Sequence, residues 1–526
     1  VRELLENLSA VVAADESCLR NVLSFTVQLC LAMRSFLPNW NLTSQDRHGE
    51  GALSPEEVRA MADSVHGAAC GLAQSVPEVA EELLREWRLY HTARFEAENV
   101  EDNAASAAQL LVGGSIGSYL DNLSAEIEGS NLRRIAEFRL AGNSHTEISN
   151  DYGAFLQYAL YVGASFATTN PPLVDMAWLA DEMFWNDVVD EVITATPGVG
   201  VEQLARLITL EVVLSSMRLL RPIFLLTEGA MGCVCLQVNP HLHGDGRQMA
   251  DAAVFFCDVL RERLGGVPNV VFKLPGTLGG LEACRELTRR GIGVTITVNF
   301  GMFQHVPFLK AMLEGNALFC CLVEMNGRLA YPVRDELLGK LSDLEALGID
   351  EAVAREAAAW SGIAVVKKLH SLLCDKGYDP RRYKPLIASL RWYTGNGYDR
   401  LPSACPDITE VLGTSLISVF PNIRRPFDEL SGLVLDPDRV SAPVPEHIMD
   451  VLAHSEVFKQ AYYNVDPEWA TCDEDRFRPD EVLELADERA VMEWPPVQQT
   501  MAQFEEAYDV FVRRIVDRTA LGLAKE

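Results

Sequence analysis

Lys273 closes an apolar run, Asn269-Val270-Val271-Phe272-Lys273-Leu274-Pro275-Gly276-Thr277. The run is short, contains β-branched residues and is stopped by Pro and Gly, which predicts a buried strand. An unpaired ammonium is costly to desolvate in such a place, and burial disfavours the charged form of an amine. An uncharged amine attacks carbonyl carbon, so the chemistry suggested here is a Schiff-base lysine. A strand-end lysine whose ammonium reaches back to water is the other reading that the run alone leaves open.

Other chemistries have less to stand on. The twelve cysteines are too few for a disulfide scaffold in 526 residues, and many lie in apolar segments, as reduced core thiols do. Cys233-Val234-Cys235 turns two thiols to one strand face, but no second Cys/His pair at zinc spacing accompanies it, so no metal is expected. A net charge of −30 argues against nucleic acid and anionic membranes as partners. It also requires any phosphate site to be built locally from Arg, Lys or helix N-termini. No apolar run reaches the roughly 18 residues of a spanning helix, and the stretch Val22 to Leu37 makes no convincing signal peptide. A cytoplasmic protein is the expectation, and a homo-oligomer is left open.

The lysine must be positioned by the elements around it. Residues 1–140 read as an all-helical domain: Leu4 to Val11, Leu19 to Met33, Pro55 to Leu72, Pro77 to Tyr90 and Ser106 to Leu123 carry apolar residues at threes and fours. Ser54-Pro55-Glu56-Glu57 is a strong helix start. Residues 141–425 alternate strands and helices. The expected strands are His145–Asn150, Ala164–Thr168, Gly232–Val238, Val270–Leu274, Gly293–Val298, Leu318–Val323, Pro385–Ser389 and Leu416–Phe420. Helical stretches such as Leu173–Val188, Asp251–Arg263, Gly279–Arg290 and Ala352–Lys376 lie between them. This order predicts an α/β fold, a (β/α)₈ TIM barrel. The missing G-x-G-x-x-G weakens the competing dinucleotide-binding sheet. Residues 426–526 read as a C-terminal helical extension, with helices near His447–Ala461, Pro479–Glu493 and Val497–Val516.

With the barrel drawn, its strand ends resemble those of the transaldolase family, which includes the fructose-6-phosphate aldolases. Val271-Phe272-Lys273-Leu274-Pro275-Gly276-Thr277-Leu278-Gly279-Gly280-Leu281 is similar to that family's Schiff-base strand and the helix start after it. Ala167-Thr168-Thr169-Asn170-Pro171-Pro172-Leu173 is similar to its Thr-Thr-Asn-Pro-Ser turn, and Ala388-Ser389-Leu390-Arg391 to its Ala-Ser-Phe-Arg. Phe504-Glu505-Glu506-Ala507-Tyr508 resembles its terminal helix. The likeness covers about 145–425 and 490–516; residues 1–140 and most of 426–490 have no counterpart in it.

The resemblance implies a class I enzyme without metal or cofactor, acting on sugar phosphates through an imine on Lys273. It implies Asp151 as proton shuttle, 19 residues before Asn170, with Glu147 in that role if the register slips; a helix-capping Asp is the other reading of Asp151. Thr297 corresponds to the residue that holds the catalytic water. Asn170 is expected on a donor hydroxyl, Arg328 and Arg391 on the phosphate, and Ser389 and Thr295 as further substrate contacts. His241 and His243 read as loop residues. The chain departs from the family at several places. Gln237 stands where transaldolases carry Glu and the aldolases Gln, and an amide orients water but takes no proton from it. Met325 replaces the aldolases' Tyr, Val323 a Ser and Thr295 an Asn. The implied activity is transfer of a dihydroxyacetone unit; the alternatives are an aldolase that releases it, or a decayed barrel used for binding or assembly.

Overall fold

Eight parallel strands close into one barrel in chain order. They are β1 (Glu147–Asn150), β2 (Ala164–Ala167), β3 (Val234–Gln237), β4 (Val270–Pro275), β5 (Val294–Thr297), β6 (Cys320–Met325), β7 (Tyr383–Ala388) and β8 (Leu416–Val419). The structure is a computed structural model. It describes residues 18–35, 54–99, 103–151, 155–379, 381–395 and 397–523, with residues 3, 6 and 7. Apart from Glu6 and Asn7, the expected helix Leu4 to Val11 lies outside the described residues.

The expected strands all form, with β6 and β7 displaced. β6 starts two residues late because Leu318 is exposed, and β7 starts two early, at Tyr383. Pro385 suggested a strand beginning, yet it sits inside β7 opposite Leu322; proline is tolerated where its missing N–H is not needed by the ladder.

Several expected helices are broken. Leu173–Val188 divides into Pro171–Ala180 and Glu182–Ala195, because Asp181 between them caps the second by accepting from Phe184 N at 3.2 Å. Ser106–Leu123 divides at Gly113, whose φ of 65° ends a helix. Ala352–Lys376 and His447–Ala461 are likewise each two helices. Of Pro479–Glu493 only Glu488–Glu493 is helical. Leu483 and Leu485 are both buried, and that spacing of two belongs to extended chain rather than a helix face. The terminal helix is longer than expected, Pro495–Leu523.

The chain forms two compact units. One takes in 1–143, 155–164 and 420–434; the other, with the barrel, takes in 144–154, 165–419 and 435–526. In the first, the expected cap at Ser54 is complete: Ser54 Oγ accepts from Glu57 N at 3.2 Å, and Glu57 Oε2 accepts from Ser54 N at 2.7 Å. The buried ion pair Arg424–Glu98, at 2.6 Å, joins its segment 420–434 to 1–143, and Arg94 pairs with Glu126 at 2.6 Å within 1–143. Among the described residues no helix is long and apolar enough to cross a membrane.

The barrel interior is filled by side chains at alternate strand positions. Glu147 opens β1 and lies at the N-terminal end of the barrel, where it accepts from Lys384 Nζ at 2.5 Å and Ser165 Oγ at 2.7 Å. It is committed to that pair, so the register has not slipped to bring it to the strand-end face. Removing one partner of a buried pair strands the other charge. Glu147→Gln is therefore expected to lower stability by about 3–5 kcal/mol, read as a reduced urea midpoint. The double variant Glu147→Leu/Lys384→Met should recover most of the loss.

A second polar pair joins Glu324 of β6 to His305, both buried. His305 Nε2 lies 2.9 Å from Glu324 Oε2, and the Asn299 amide reaches Nδ1 at 3.1 Å. Burial holds His305 down to about 3 and pushes Glu324 well above the ordinary carboxyl range. As pH falls below 6.5, an unfolded histidine takes up a proton that folded His305 refuses. Stability thus falls with pH on this account, by about 2 kcal/mol between about pH 6.5 and about pH 5. Glu324 contributes the opposite slope but is common to wild type and His305→Gln. The variant's urea midpoint should accordingly depend less on pH over that range.

Candidate active site

Active sites of such barrels lie at the C-terminal ends of the strands. β4 brings Lys273 into the interior, where it is 6% exposed. It stands in register with Gln237 of β3 and Thr295 of β5. Nζ makes one long hydrogen bond, to Thr169 O at 3.4 Å, and no ion pair among the described residues. The residues after it explain why the motif is glycine-rich. Thr277 caps helix Leu278–Arg289 by accepting from Gly280 N at 3.1 Å. A Cβ on Gly280 would stand 1.9 Å from Pro275 O, so only glycine lets the helix start this close to the strand end.

Thr168 and Thr169 tie the end of β2 to both neighbouring strands. Thr168 Oγ1 donates to the Asp151 carboxylate and lies 3.0 Å from Ser418 Oγ on β8. Thr169 Oγ1 donates to Cys235 O on β3 at 2.5 Å. Asp151 directly follows β1, and its backbone N donates to Val419 O at 3.0 Å. Burial raises the Cys235 thiol to about 11, while Lys273 pulls it down and Asp151 pushes it up. Asp151 and Lys273 bond to adjacent residues at the end of β2, Thr168 and Thr169. Asn170 begins the helix after β2, its carbonyl accepting from Val174 N at 3.0 Å.

Thr297 ends β5, 1% exposed, with Oγ1 3.6 Å from Met325 Sδ. Gln237 ends β3, and its buried Oε1 has no hydrogen-bond partner among the described residues. An orphaned acceptor at a strand end is the kind of atom a water or substrate hydroxyl satisfies. Thr295 lies two residues before Thr297, and its hydroxyl faces the Cys235 and Cys321 thiols deeper in the barrel.

Arg328 and Arg391 come together. Burial, and next the nearby Arg391, push the Arg328 guanidinium down to about 10, while Asp151 opposes the shift. Arg391 is held through its backbone N, which donates to the buried Asp407 at 2.8 Å, and its Nη1 donates to Ser389 O and Leu390 O at 3.1 Å. Asp407 also accepts from Asn326 Nδ2 at 3.1 Å. Ser389 contributes its carbonyl and a left-handed backbone, φ 60°, a strained conformation for a non-glycine residue. The terminal helix completes the surroundings. Phe504 places its ring 5.9 Å from Lys273 Nζ and 5.6 Å from Arg328 Cζ, and Gln503 Oε1 accepts from Arg328 Nη1 at 2.5 Å. His241, expected on a loop, lies in the short 3₁₀ helix Pro240–Leu242 after β3, with Nε2 2.8 Å from Asp509 of the terminal helix Pro495–Leu523.

Sequence reasoning left out Asp407, Gln503 and Ser418. The motif strings contained Thr168, Thr169 and Phe504 without assigning them a part. Asp407 has no local signal, because its partner Arg391 is sixteen residues away. Among the described residues, no group of three or more His, Cys, Asp or Glu side chains could hold a metal ion.

Residues 154–394 match the family model described as transaldolase/fructose-6-phosphate aldolase. The chain is 32% identical over 149 residues to a transaldolase of Thermobifida fusca, which covers 28% of this chain and 38% of that protein. It is 25% identical over 306 residues to transaldolase 2 of Streptomyces coelicolor, covering 52% of this chain and 79% of that protein. A transaldolase of Acidothermus cellulolyticus is 29% identical over 226 residues, covering 43% and 56%. The chain thus spans less than two-fifths of the Thermobifida protein at the stronger identity. The matched segment includes Lys273, Arg328 and Arg391, while Asp151 lies three residues before it. Through residues 154–394, which hold most of its barrel, the chain is similar to the transaldolase/fructose-6-phosphate aldolase family.

Proposed function

We propose that the barrel transfers a dihydroxyacetone unit from a ketose phosphate to an aldose phosphate through an imine on Lys273. The observation that carries this reading is a buried amine, without an ion pair among the described residues, that shares its strand-end face with one carboxylate and two guanidinium groups. The amine adds to the ketose carbonyl, and loss of water gives the imine. Asp151 takes the proton of the C4 hydroxyl; the C3–C4 bond breaks, its electrons pass into the imine, and an aldose phosphate leaves. The resulting enamine adds to an acceptor aldehyde, and water then releases the product and frees the amine. Arg328 and Arg391 hold the phosphate bidentately, a charge-assisted contact. Thr297 and Gln237 position the water, and Asn170 binds a donor hydroxyl. The many buried thiols support a reducing, cytoplasmic setting.

Borohydride reduction in the presence of fructose 6-phosphate should fix a three-carbon adduct on the peptide containing Lys273. Absence of that adduct with every ketose phosphate tried would leave the barrel as a binding or assembly module.

Gln237 favours a second reading, an aldolase that releases free dihydroxyacetone. Its amide cannot accept a proton from water as a carboxylate can. Gln237→Glu restores a carboxylate at the end of β3. It is expected to raise formation of sedoheptulose 7-phosphate from fructose 6-phosphate and erythrose 4-phosphate by roughly tenfold or more. An unchanged rate would remove Gln237 from the water-positioning role.

A further inference from the structure

The terminal helix brings one more polar group to the phosphate end of the site. Gln503 is exposed, and its side chain meets Arg328 Nη1 at 2.5 Å. A guanidinium offers only donors, so the atom turned towards it must be Oε1. That fixes the amide's orientation and leaves Nε2, a donor, as its other end. Nε2 makes no hydrogen bond among the described residues. The helix is anchored next to this residue by Phe504, which is 3% exposed and lies against both Lys273 and Arg328.

We propose that Gln503 is a third ligand of the phosphate group: Oε1 holds Arg328, and Nε2 donates to a phosphate oxygen beside the two guanidinium groups. The choice of ligand rests on the reading of Arg328 and Arg391 given above. A neutral amide suits this place because it orients a cation and still presents a donor to an anion. A carboxylate would offer acceptors only; it would pair with Arg328 and repel the dianion. An alkyl side chain would do neither. Gln503 therefore sets the preference for phosphorylated over unphosphorylated sugars, and the selecting group comes from outside the barrel strands.

The test uses the full chain with Gln503→Glu and Gln503→Leu, both changes at an exposed position. Binding of inorganic phosphate is measured by calorimetry. Half-saturation of borohydride trapping is measured with fructose 6-phosphate and with fructose. Gln503→Glu is expected to weaken inorganic phosphate and fructose 6-phosphate by about tenfold or more, and Gln503→Leu by several-fold. Half-saturation by fructose should change by less than about twofold in either variant. The proposal is overturned if phosphate affinity is unchanged in both variants, or if fructose weakens as much as its phosphate. It is also overturned if Gln503→Leu binds phosphate more tightly, since Gln503 would then be shielding Arg328. Failure of the wild type to bind inorganic phosphate overturns it as well. If the wild type binds phosphate but traps no ketose, the lysine chemistry is what fails, and the phosphate measurement still decides the role of Gln503.

Discussion

Lys273→Ala is expected to abolish the borohydride-trapped adduct and to lower turnover by about 10⁴-fold or more, the scale at which loss of a covalent nucleophile is felt. The loss should fall on turnover, because the residues proposed to hold the phosphate and a donor hydroxyl are others. Lys273 makes only one long hydrogen bond, to Thr169 O at 3.4 Å, so its removal strands no buried charge and should leave the urea midpoint close to wild type. Lys273→Arg keeps a long nitrogen-bearing side chain at the same place. A guanidinium forms no imine under these conditions, so the adduct should be absent there too. Trapping that persists in either variant would move the nucleophile elsewhere and remove the main support for the proposed reaction.

Arg391→Ala carries the second largest effect, a rise of roughly 10- to 100-fold in KM for phosphorylated ketoses, with a far smaller change for their unphosphorylated forms. The loop should survive this change, because Asp407 holds the backbone N of residue 391 and not the guanidinium. Gly327→Ala reaches the same end without deleting a charge. A Cβ there would stand 2.4 Å from Arg391 Cγ and 2.5 Å from Ser389 O, so the guanidinium must move. Both variants should therefore raise KM for sugar phosphates. If KM rises equally for sugars with and without phosphate, the arginines serve the fold and not the anion.

The barrel was legible because each strand is a short buried run bounded by turn residues, and Pro275-Gly276-Thr277 marks a strand-to-helix junction that tolerates few alternatives. The candidate site was legible where one motif string carries both the residue and its neighbours, as at Lys273 and Arg391. It was illegible where partners meet only after closure. Asp407 and Gln503 each act on an arginine from an element with no sequence link to it. Helix breaks were misread for a local reason: Asp181 and Gly113 interrupt apolar patterns that otherwise continue on both sides. Glu147 illustrates the opposite hazard. A carboxylate near Asp151 in sequence lies at the opposite end of the barrel, because a strand of four residues separates the two ends.

The adjoining guanidinium groups sit in a chain of net charge −30. If the substrate is the proposed sugar phosphate, long-range repulsion should slow its arrival, while short-range attraction should hold it once seated, and salt acts on the two in opposite directions. Added salt should hasten the encounter by screening the acidic surface. It should have much less influence on the departure rate, which is set by contacts shorter than the roughly 8–10 Å screening length.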